Sequence, residues 1–404
     1  MSDRTDIRHA AARWRRFMLL LMTLTAAVAG NTAAARPLQY QIHGFAAQAY
    51  AHSDGNNYVG SSLDGSFEFF ELGLNGSVAY GPLTVSAQGL VRKFGEIDDG
   101  QPRLDYGFAD YRLFSTMNYN AGIRAGRVKN YYGLYNDSRD VVFTRPGVLL
   151  PGSVYFESTG IRALLFSSDG GQVYGGFNSG DHYFSLVATR GLDTDASQRQ
   201  KKILFGSTEP VPNDVRINGF FIIRLMDEWG AGAWRAALTY TTTGIEADPA
   251  PTNPVSGTID ATVWIGSLAY NAERYSITSE YVLTSTTTRT NLTGRSFGRS
   301  DGGYVQGDYR FNERWTGMLR YDLYWPDRND RSGDDYVAAT GGDRHRRYAR
   351  DLTAGVKWLP DRHWGVWGEY HVIRGSATVP RLENGGRMIE ADGNLFLLMV
   401  GYHF

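Results

Sequence analysis

FLLMVGYHF, residues 396–404, puts Phe396, Leu398, Val400, Tyr402 and Phe404 at every second position up to the last residue. A period of two is the mark of a β-strand with one apolar face. Working back from this segment, the same alternation returns again and again. Tyr348, Leu352, Ala354, Val356 and Trp358 oppose Asp351, Thr353, Gly355 and Lys357. Trp315, Gly317, Leu319, Tyr321 and Leu323 oppose Thr316, Met318, Arg320, Asp322 and Tyr324. Phe70, Leu72, Leu74, Val78 and Tyr80 face away from Glu71, Gly73, Asn75 and Ser77, and Leu83, Val85, Ala87 and Val91 from Thr84, Ser86, Gln88 and Arg92. Charge recurs on one face of each segment.

Alternation alone does not separate a core-facing strand from a lipid-facing one. Connection lengths do. The pattern predicts strands at 38–51, 66–80, 83–94, 103–115, 118–127, 157–167, 171–190 and 215–226, then at 231–243, 257–270, 274–286, 302–311, 314–325, 347–359, 362–375 and 391–404. That is sixteen, with 171–190 kept whole across Asn178-Ser179-Gly180. Links alternate between short (Gly81-Pro82, Thr116-Met117, 168–170, 271–273, Asn312-Glu313, Pro360-Asp361) and long (128–156, 191–214, 244–256, 287–301, 326–346, 376–390). Short periplasmic turns and long external loops are the layout of an all-β transmembrane antiparallel barrel, and an even count lets the last strand close on the first without leaving an edge in hydrocarbon.

Of the 404 residues none is cysteine, which removes disulfides, thiolate metal sites and sulfur nucleophiles. The 41 basic and 42 acidic side chains give no field for gripping nucleic acid. Phe17–Ala29 is apolar but shorter than the about 20 residues a helical span needs. Arg4, Arg8, Arg13, Arg15 and Arg16 precede it, and Ala27-Val28-Ala29 and Ala33-Ala34-Ala35 follow. This order predicts an export signal over 1–35, cleaved after Ala29 or Ala35, ahead of a single barrel domain over 36–404. The mature chain then carries 36 basic against 40 acidic groups. Aromatics at strand ends, including Tyr119, Tyr240, Tyr309, Trp315, Tyr321, Tyr348, Trp358, Trp364 and Tyr370, predict a girdle at the headgroup level on the short-turn side. A mean hydropathy of −0.35 fits a barrel with a polar interior.

The terminal aromatic strand, together with 364–375 (WGVWGEYHVIRG) and 126–151 (GRVKNYYGLYNDSRDVVFTRPGVLLP), resembles the Gram-negative outer-membrane porins over essentially the whole mature chain. The Pro-Glu-Phe-Gly-Gly loop motif of general porins is missing. The resemblance implies that Tyr402 and Phe404 serve as the recognition signal for the barrel-assembly machinery, that the third loop folds into the pore, and that the protein is a homotrimer among outer-membrane lipid and lipopolysaccharide.

A sixteen-strand lumen is wide enough for water and small hydrophilic solutes, so the function expected is passive diffusion, with selectivity set by charge where the bore narrows. The third loop and its base carry Arg127, Lys129, Asp137, Arg139, Asp140 and Arg145. Inward phase puts Arg92, Arg112, Arg124 and Arg162 on the wall of that half, and Glu280, Asp308, Arg310, Arg320, Asp322, Lys357, Glu369 and His371 on the other. Basic groups outnumber acidic ones in the first half, and a weakly anion-favouring constriction follows; the alternative role of these arginines is pairing with local carboxylates to pin the loop. If Arg139 and Arg145 line the constriction, changing both to Ala shifts selectivity toward cations.

Asp327-Arg328-Asn329-Asp330-Arg331-Ser332-Gly333-Asp334-Asp335 gathers oxygen donors but lacks the EF-hand spacing, so it reads as a solvated loop. The histidines form no metal-type pair, and no nucleophile elbow, phosphate loop or dinucleotide fingerprint occurs, so neither an enzyme nor a cofactor is expected. Competing readings are a solute-specific channel for phosphate or another anion, which would need a denser basic ladder, and a plugged barrel acting as an adhesin or an outer-membrane enzyme such as a lipase.

Overall fold

The computed structural model describes residues 38–156, 166–207 and 209–404. The export segment and Arg162 lie outside the described residues. Sixteen long strands build the chain: β1 Gln39–Ser53, β2 Ser66–Tyr80, β3 Leu83–Phe94, β4 Arg103–Ser115, β5 Tyr119–Lys129, β6 Ser167–Ser179, β7 His182–Gly191 and β8 Val215–Trp229. Then follow β9 Trp234–Ala247, β10 Gly257–Asn271, β11 Tyr275–Thr290, β12 Gly294–Arg310, β13 Trp315–Trp325, β14 Ala349–Trp358, β15 Trp364–Arg374 and β16 Asp392–His403. Two-residue bridges, Asp98–Asp99 and Thr194–Asp195, add to the sheet. Residues 40–404 form a unit of their own.

Each strand pairs antiparallel with its neighbours, and β1 meets β16 in register from Phe45↔His403 to Ser53↔Leu395. At the seam Gly44 and Phe404 exchange backbone hydrogen bonds of 3.2 and 3.0 Å. A Cβ on Gly44 would stand 2.5 Å from the Phe404 ring, so a side chain there would have to displace that ring. The sheet therefore has no free edge along the seam, as a barrel in hydrocarbon requires. Outward positions are apolar and exposed (Leu72, Leu319, Tyr321, Tyr370, Leu398), whereas their inward neighbours Glu71, Arg320, Asp322, Glu369 and Leu397 are buried. A surface of that kind is stable only in contact with lipid tails.

Short turns at 81–82, 116–118, 180–181, 230–233, 272–274, 311–314 and 359–363 share one end, and long loops, described at 54–65, 95–102, 130–156, 192–207, 209–214, 248–256, 326–348 and 375–391, share the other. Aromatic pairs ring the short-turn end, among them Trp315 stacked on Trp358 (5.4 Å), Trp229 stacked on Trp234 (5.8 Å) and Trp364 edge-on to Tyr402 (5.0 Å).

Four predicted segments are corrected in whole or in part. The strand expected over 171–190 is the hairpin β6–β7, turning at Gly180, whose φ of 64° favours glycine. The turn expected at 168–170 is strand, with Gly170 pressed so close to the Arg190 carbonyl that a Cβ would stand 2.1 Å from its oxygen. Of the strand expected over 157–167, residues 157–165 lie outside the described residues, Phe166 is not strand, and Ser167 opens β6. The count of sixteen holds because two strands, β6 and β7, stand in place of the two expected over 157–167 and 171–190. Finally, 287–301 is mostly paired strand, with Thr290↔Gly294 closing a turn at 291–293.

Candidate functional site: the third loop and the cavity beneath it

The third loop, described over 130–156 and at Phe166, lies inside the barrel because inward carboxylates of the wall grip it. Glu369 of β15 accepts from the backbone N–H groups of Val148 (2.8 Å) and Leu149 (3.1 Å). A Cβ on Gly147 would fall 1.8 Å from Glu369 Oε1, so this approach needs a residue without a side chain. Asp322 of β13 accepts from Ser153 N–H (3.2 Å), and Arg320 donates to the Leu149 carbonyl (2.9 Å). Glu280 of β11 accepts from Leu134 N–H (3.0 Å), Ser267 (2.6 Å), Tyr304 (2.8 Å) and the Tyr155 hydroxyl. Glu71 of β2 holds Arg92 (2.8 Å) and Arg145 together.

Apolar packing completes the attachment. Tyr132, Leu150 and Val154 sit on Phe220, Ile222, Val263, Ile265 and Val282, while Val142 and Val148 join a cluster with Phe69, Phe94, Trp367 and Met399. Each such side chain removed from water contributes on the order of 1.5–3 kcal/mol. The loop is thus a packed part of the interior and not a strand of chain resting against it.

The predicted residues divide by partner. Lys129 is buried between Asp105 (2.8 Å) and Asp140, with its ammonium 5.0 Å from the Phe166 ring. Arg139 is buried against the Tyr155 carbonyl and over the rings of Tyr155 and Phe166. Asp137, partly open, stands 3.5 Å from Arg224. Arg92, besides Glu71, reaches Asp98 at 3.4 Å and stacks on Phe69 and Phe94. Arg124 joins Asp110 (2.7 Å), Gln172 (2.8 Å) and the Tyr131 hydroxyl (3.2 Å). Arg112 is exposed at the short-turn end and donates to the Gly81 carbonyl. Arg127 shares the outward phase of Ile123 and pairs half-exposed with Asp169 (3.1 Å). His371 lies between Asp351 (2.8 Å) and Glu369 (3.3 Å). Tyr402 and Phe404 are partly exposed at the seam.

Glu71, Asp98, Asp105 and Tyr155 were not singled out as site residues. Alternation places Glu71 on the inner face, which was the available sign; its partner Arg145 is far away in sequence, and nothing local links the two.

Below the loop, toward the short turns, lies a cavity of about 420 Å³. The loop contributes Leu134, Tyr135, Thr144, Arg145 and Pro146, and the wall contributes Arg235, Arg274, Arg310, Lys357, Asp308 and Glu313. Register explains the grouping: Arg235, Ala269, Thr278, Gln306, Arg320, Thr353 and His371 form one continuous cross-strand row over β9–β15. Cationic Arg235 and Arg320 thus stand on one inner row. The half near Arg320 is covered by the loop, and the half near Arg235 opens on the cavity.

At the long-loop end, Asp98 binds Arg103 (2.8 Å), Arg199 and Arg92; burial alone would raise its carboxyl, but these guanidinium groups hold it below the usual range. Glu383 of the last loop accepts from the N–H groups of Glu96 (2.7 Å) and Ile97 (3.3 Å). Burial outweighs those bonds and pushes its carboxyl up to about 7. Asp330, in the stretch weighed as a cation loop, accepts from Tyr336 N–H (2.9 Å) at the start of the short helix Asp334–Thr340. No group of three or more His, Asp or Glu among the described residues is arranged to hold a metal ion.

A closed sixteen-strand barrel with short turns at one end and its third loop folded inward is the fold of the Gram-negative outer-membrane porins. No family model matches the chain, and no curated protein matches it in sequence. Among solved structures it is similar to the trimer form of the outer-membrane protein OmpT of Vibrio cholerae, at a TM-score of 0.55 and 10% identity over 91% of this chain and 100% of that one. It is also similar to the outer-membrane channel DcaP of Acinetobacter baumannii, at 0.54 and 10% identity over 91% and 97%. The anion-selective porin of Comamonas acidovorans follows at 0.52 and 11% identity over 91% and 100%.

Proposed function

We propose that this protein is a passive diffusion channel of the outer membrane for small hydrophilic solutes, with a weak preference for anions. The observation that supports it is the water-accessible cavity of about 420 Å³ inside a closed barrel, bounded by an inward loop and carrying more cationic than anionic side chains. Charge lining a narrow aqueous path sets ion preference through the field it creates there. The similarity to the channel DcaP and to the anion-selective porin of Comamonas acidovorans points the same way.

The reading includes export through a cleaved signal over 1–35, insertion by the barrel-assembly machinery through Tyr402 and Phe404, contact with lipopolysaccharide, and a homotrimer, the last in line with the trimeric OmpT form. It requires no energy source, cofactor or reaction.

Single-channel conductance of the refolded mature protein in a planar bilayer, under a salt gradient, tests it. Large ohmic steps with a zero-current potential of the anion sign are expected. A folded, heat-modifiable barrel that never conducts would mean a plugged lumen, and the adhesin or enzyme readings would replace the channel.

A further inference from the structure

We propose that anions are bound and selected in the cavity beneath the third loop, by Arg235 and Lys357 with Arg274 and Arg310, and not by the arginines of the loop itself. The inference deepens the channel reading, and rests on it for its consequence in transport.

The argument starts from which cations are already neutralised. Arg145 also lines this cavity, but its guanidinium lies on Glu71 and is 2% exposed. Lys129 is spent on Asp105 and Asp140. Arg235, Arg274, Arg310 and Lys357 form no ion pair with any described residue. Lys357 Nζ donates one proton to the Phe143 carbonyl (3.2 Å), and Arg310 donates to the Glu273 carbonyl (2.8 Å); neither bond neutralises a charge, and Lys357 is attracted to Asp308 across the cavity without an ion-pair contact.

Two carboxylates share the space. Asp308 accepts only from neutral groups, Gln306 Nε2 (2.9 Å) and Ser276 Oγ (3.3 Å), and Glu313 is exposed on the turn. Four cations without an ion-pair contact against two carboxylates leave an excess of positive charge in a confined space partly walled by the low-dielectric loop. Such a field concentrates anions and is felt over about 10 Å at 0.1 M salt but only about 3 Å at 1 M. The Thr316 hydroxyl lines the same space and supplies a neutral donor. The ligand this chemistry recognises is a small oxyanion, a phosphate or carboxylate.

The test uses the full mature barrel and two readouts. The first is the chloride-to-potassium permeability ratio from the zero-current potential in a KCl gradient; the second is binding of inorganic phosphate, followed by the ³¹P line width with the barrel in detergent. Arg235→Gln with Lys357→Gln should lower the ratio about threefold at 0.1 M salt, with the difference shrinking toward 1 M as screening sets in. The same variant should abolish phosphate line broadening. An unchanged ratio in a conducting variant overturns the proposal, as does broadening that persists.

A second variant guards against misfolding. Arg274→Gln with Arg310→Gln changes only exposed turn-end positions, where substitution costs little stability, and should shift both readouts in the same direction by a smaller factor. If the wild-type barrel binds phosphate through these residues yet never conducts, the site stands and the channel reading falls. If it conducts but neither variant moves the ratio, the channel stands and the site falls.

Discussion

Arg145 and Lys357 line the same cavity, yet they are in opposite electrical states. Arg145 is clamped on the buried carboxylate of Glu71, while Lys357 touches a backbone carbonyl and the face of Trp367, 5.5 Å from its ammonium, and feels Asp308 only at a distance. The same division runs through the whole interior. Where the third loop meets the wall, carboxylates and cations are matched and buried; beneath the loop the cations are left over. The number of basic residues in a lumen therefore says little about selectivity until pairing is subtracted. Matched charges hold the loop, and unmatched ones remain for the solute.

The strongest way to break this contrast is Glu71→Ala. It strips Arg145 of its carboxylate and Arg92 of one of two, and an uncompensated buried charge costs about 3–5 kcal/mol. The midpoint of the heat-modifiable gel shift should fall sharply. At the same time Arg145 joins the free cations of the cavity, so the chloride-to-potassium permeability ratio should rise in the channels that still fold. A variant as stable as wild type would show that Glu71 does not anchor the loop.

Glu280→Ala acts on the matched side alone. It leaves Tyr155, Tyr304, Ser267 and the Leu134 N–H without their shared acceptor, and stranded buried donors predict a loss of about 2–3 kcal/mol in urea-induced unfolding. The permeability ratio should stay near that of wild type, because Glu280 is 1% exposed, sealed between the loop and the wall away from the solute path. A large shift in the ratio would dissolve the separation between the two regions.

These predictions bear on what the sequence made legible. The barrel and its sixteen strands follow from period-two patterning and link lengths, which are local and repeated, whereas the inward loop was implied only by the resemblance to the porins. Strand ends are less secure where local chemistry is ambiguous: Ser168-Asp169-Gly170 and Asn178-Ser179-Gly180 both have turn composition, and only the backbone shows that Gly180 turns while Gly170 is pressed between strands. The Thr-rich 284–290 read as a loop because its apolar alternation stops, although backbone pairing continues to Thr290↔Gly294. The site is harder still. Inner-face phase marks Glu71, Arg92 and Arg320, but which cation each carboxylate neutralises depends on contacts such as Arg145 on Glu71, separated by 74 positions. Arg235 drew no notice in the sequence because nothing near it is charged in the right phase to suggest a cluster.

At the long-loop end the same logic gives a pH dependence. Burial raises the Glu383 carboxyl from 4.5 to about 7, so the folded protein holds its proton more tightly than the unfolded chain. Stability from this group is complete below pH 4.5, declines between 4.5 and 7, and is flat above. With a discount for solvent screening the span is about 1–2 kcal/mol. Amide exchange at Glu96 and Ile97, whose N–H groups bind Glu383, should accelerate from pH 5 to pH 8 beyond the intrinsic pH effect. Glu383→Gln should remove that excess, and an excess that persists in the variant would assign it elsewhere.

The smallest effect belongs to Arg127→Ala, and it separates position from sign of charge. Arg127 was grouped with the constriction residues because it sits at the base of the third loop. It shares the outward phase of Ile123, and its guanidinium is about one-third exposed while bonded to Asp169. A pair so open contributes about 0–1 kcal/mol. Arg127 also stands on the outer phase of its strand, away from the lumen. Arg127→Ala should therefore leave the permeability ratio unchanged and shift the unfolding midpoint only slightly, whereas Arg235→Gln, which also removes one cation, should move the ratio. Equal shifts from the two would mean that the channel responds to total charge, and the distinction between matched and unmatched cations would fail.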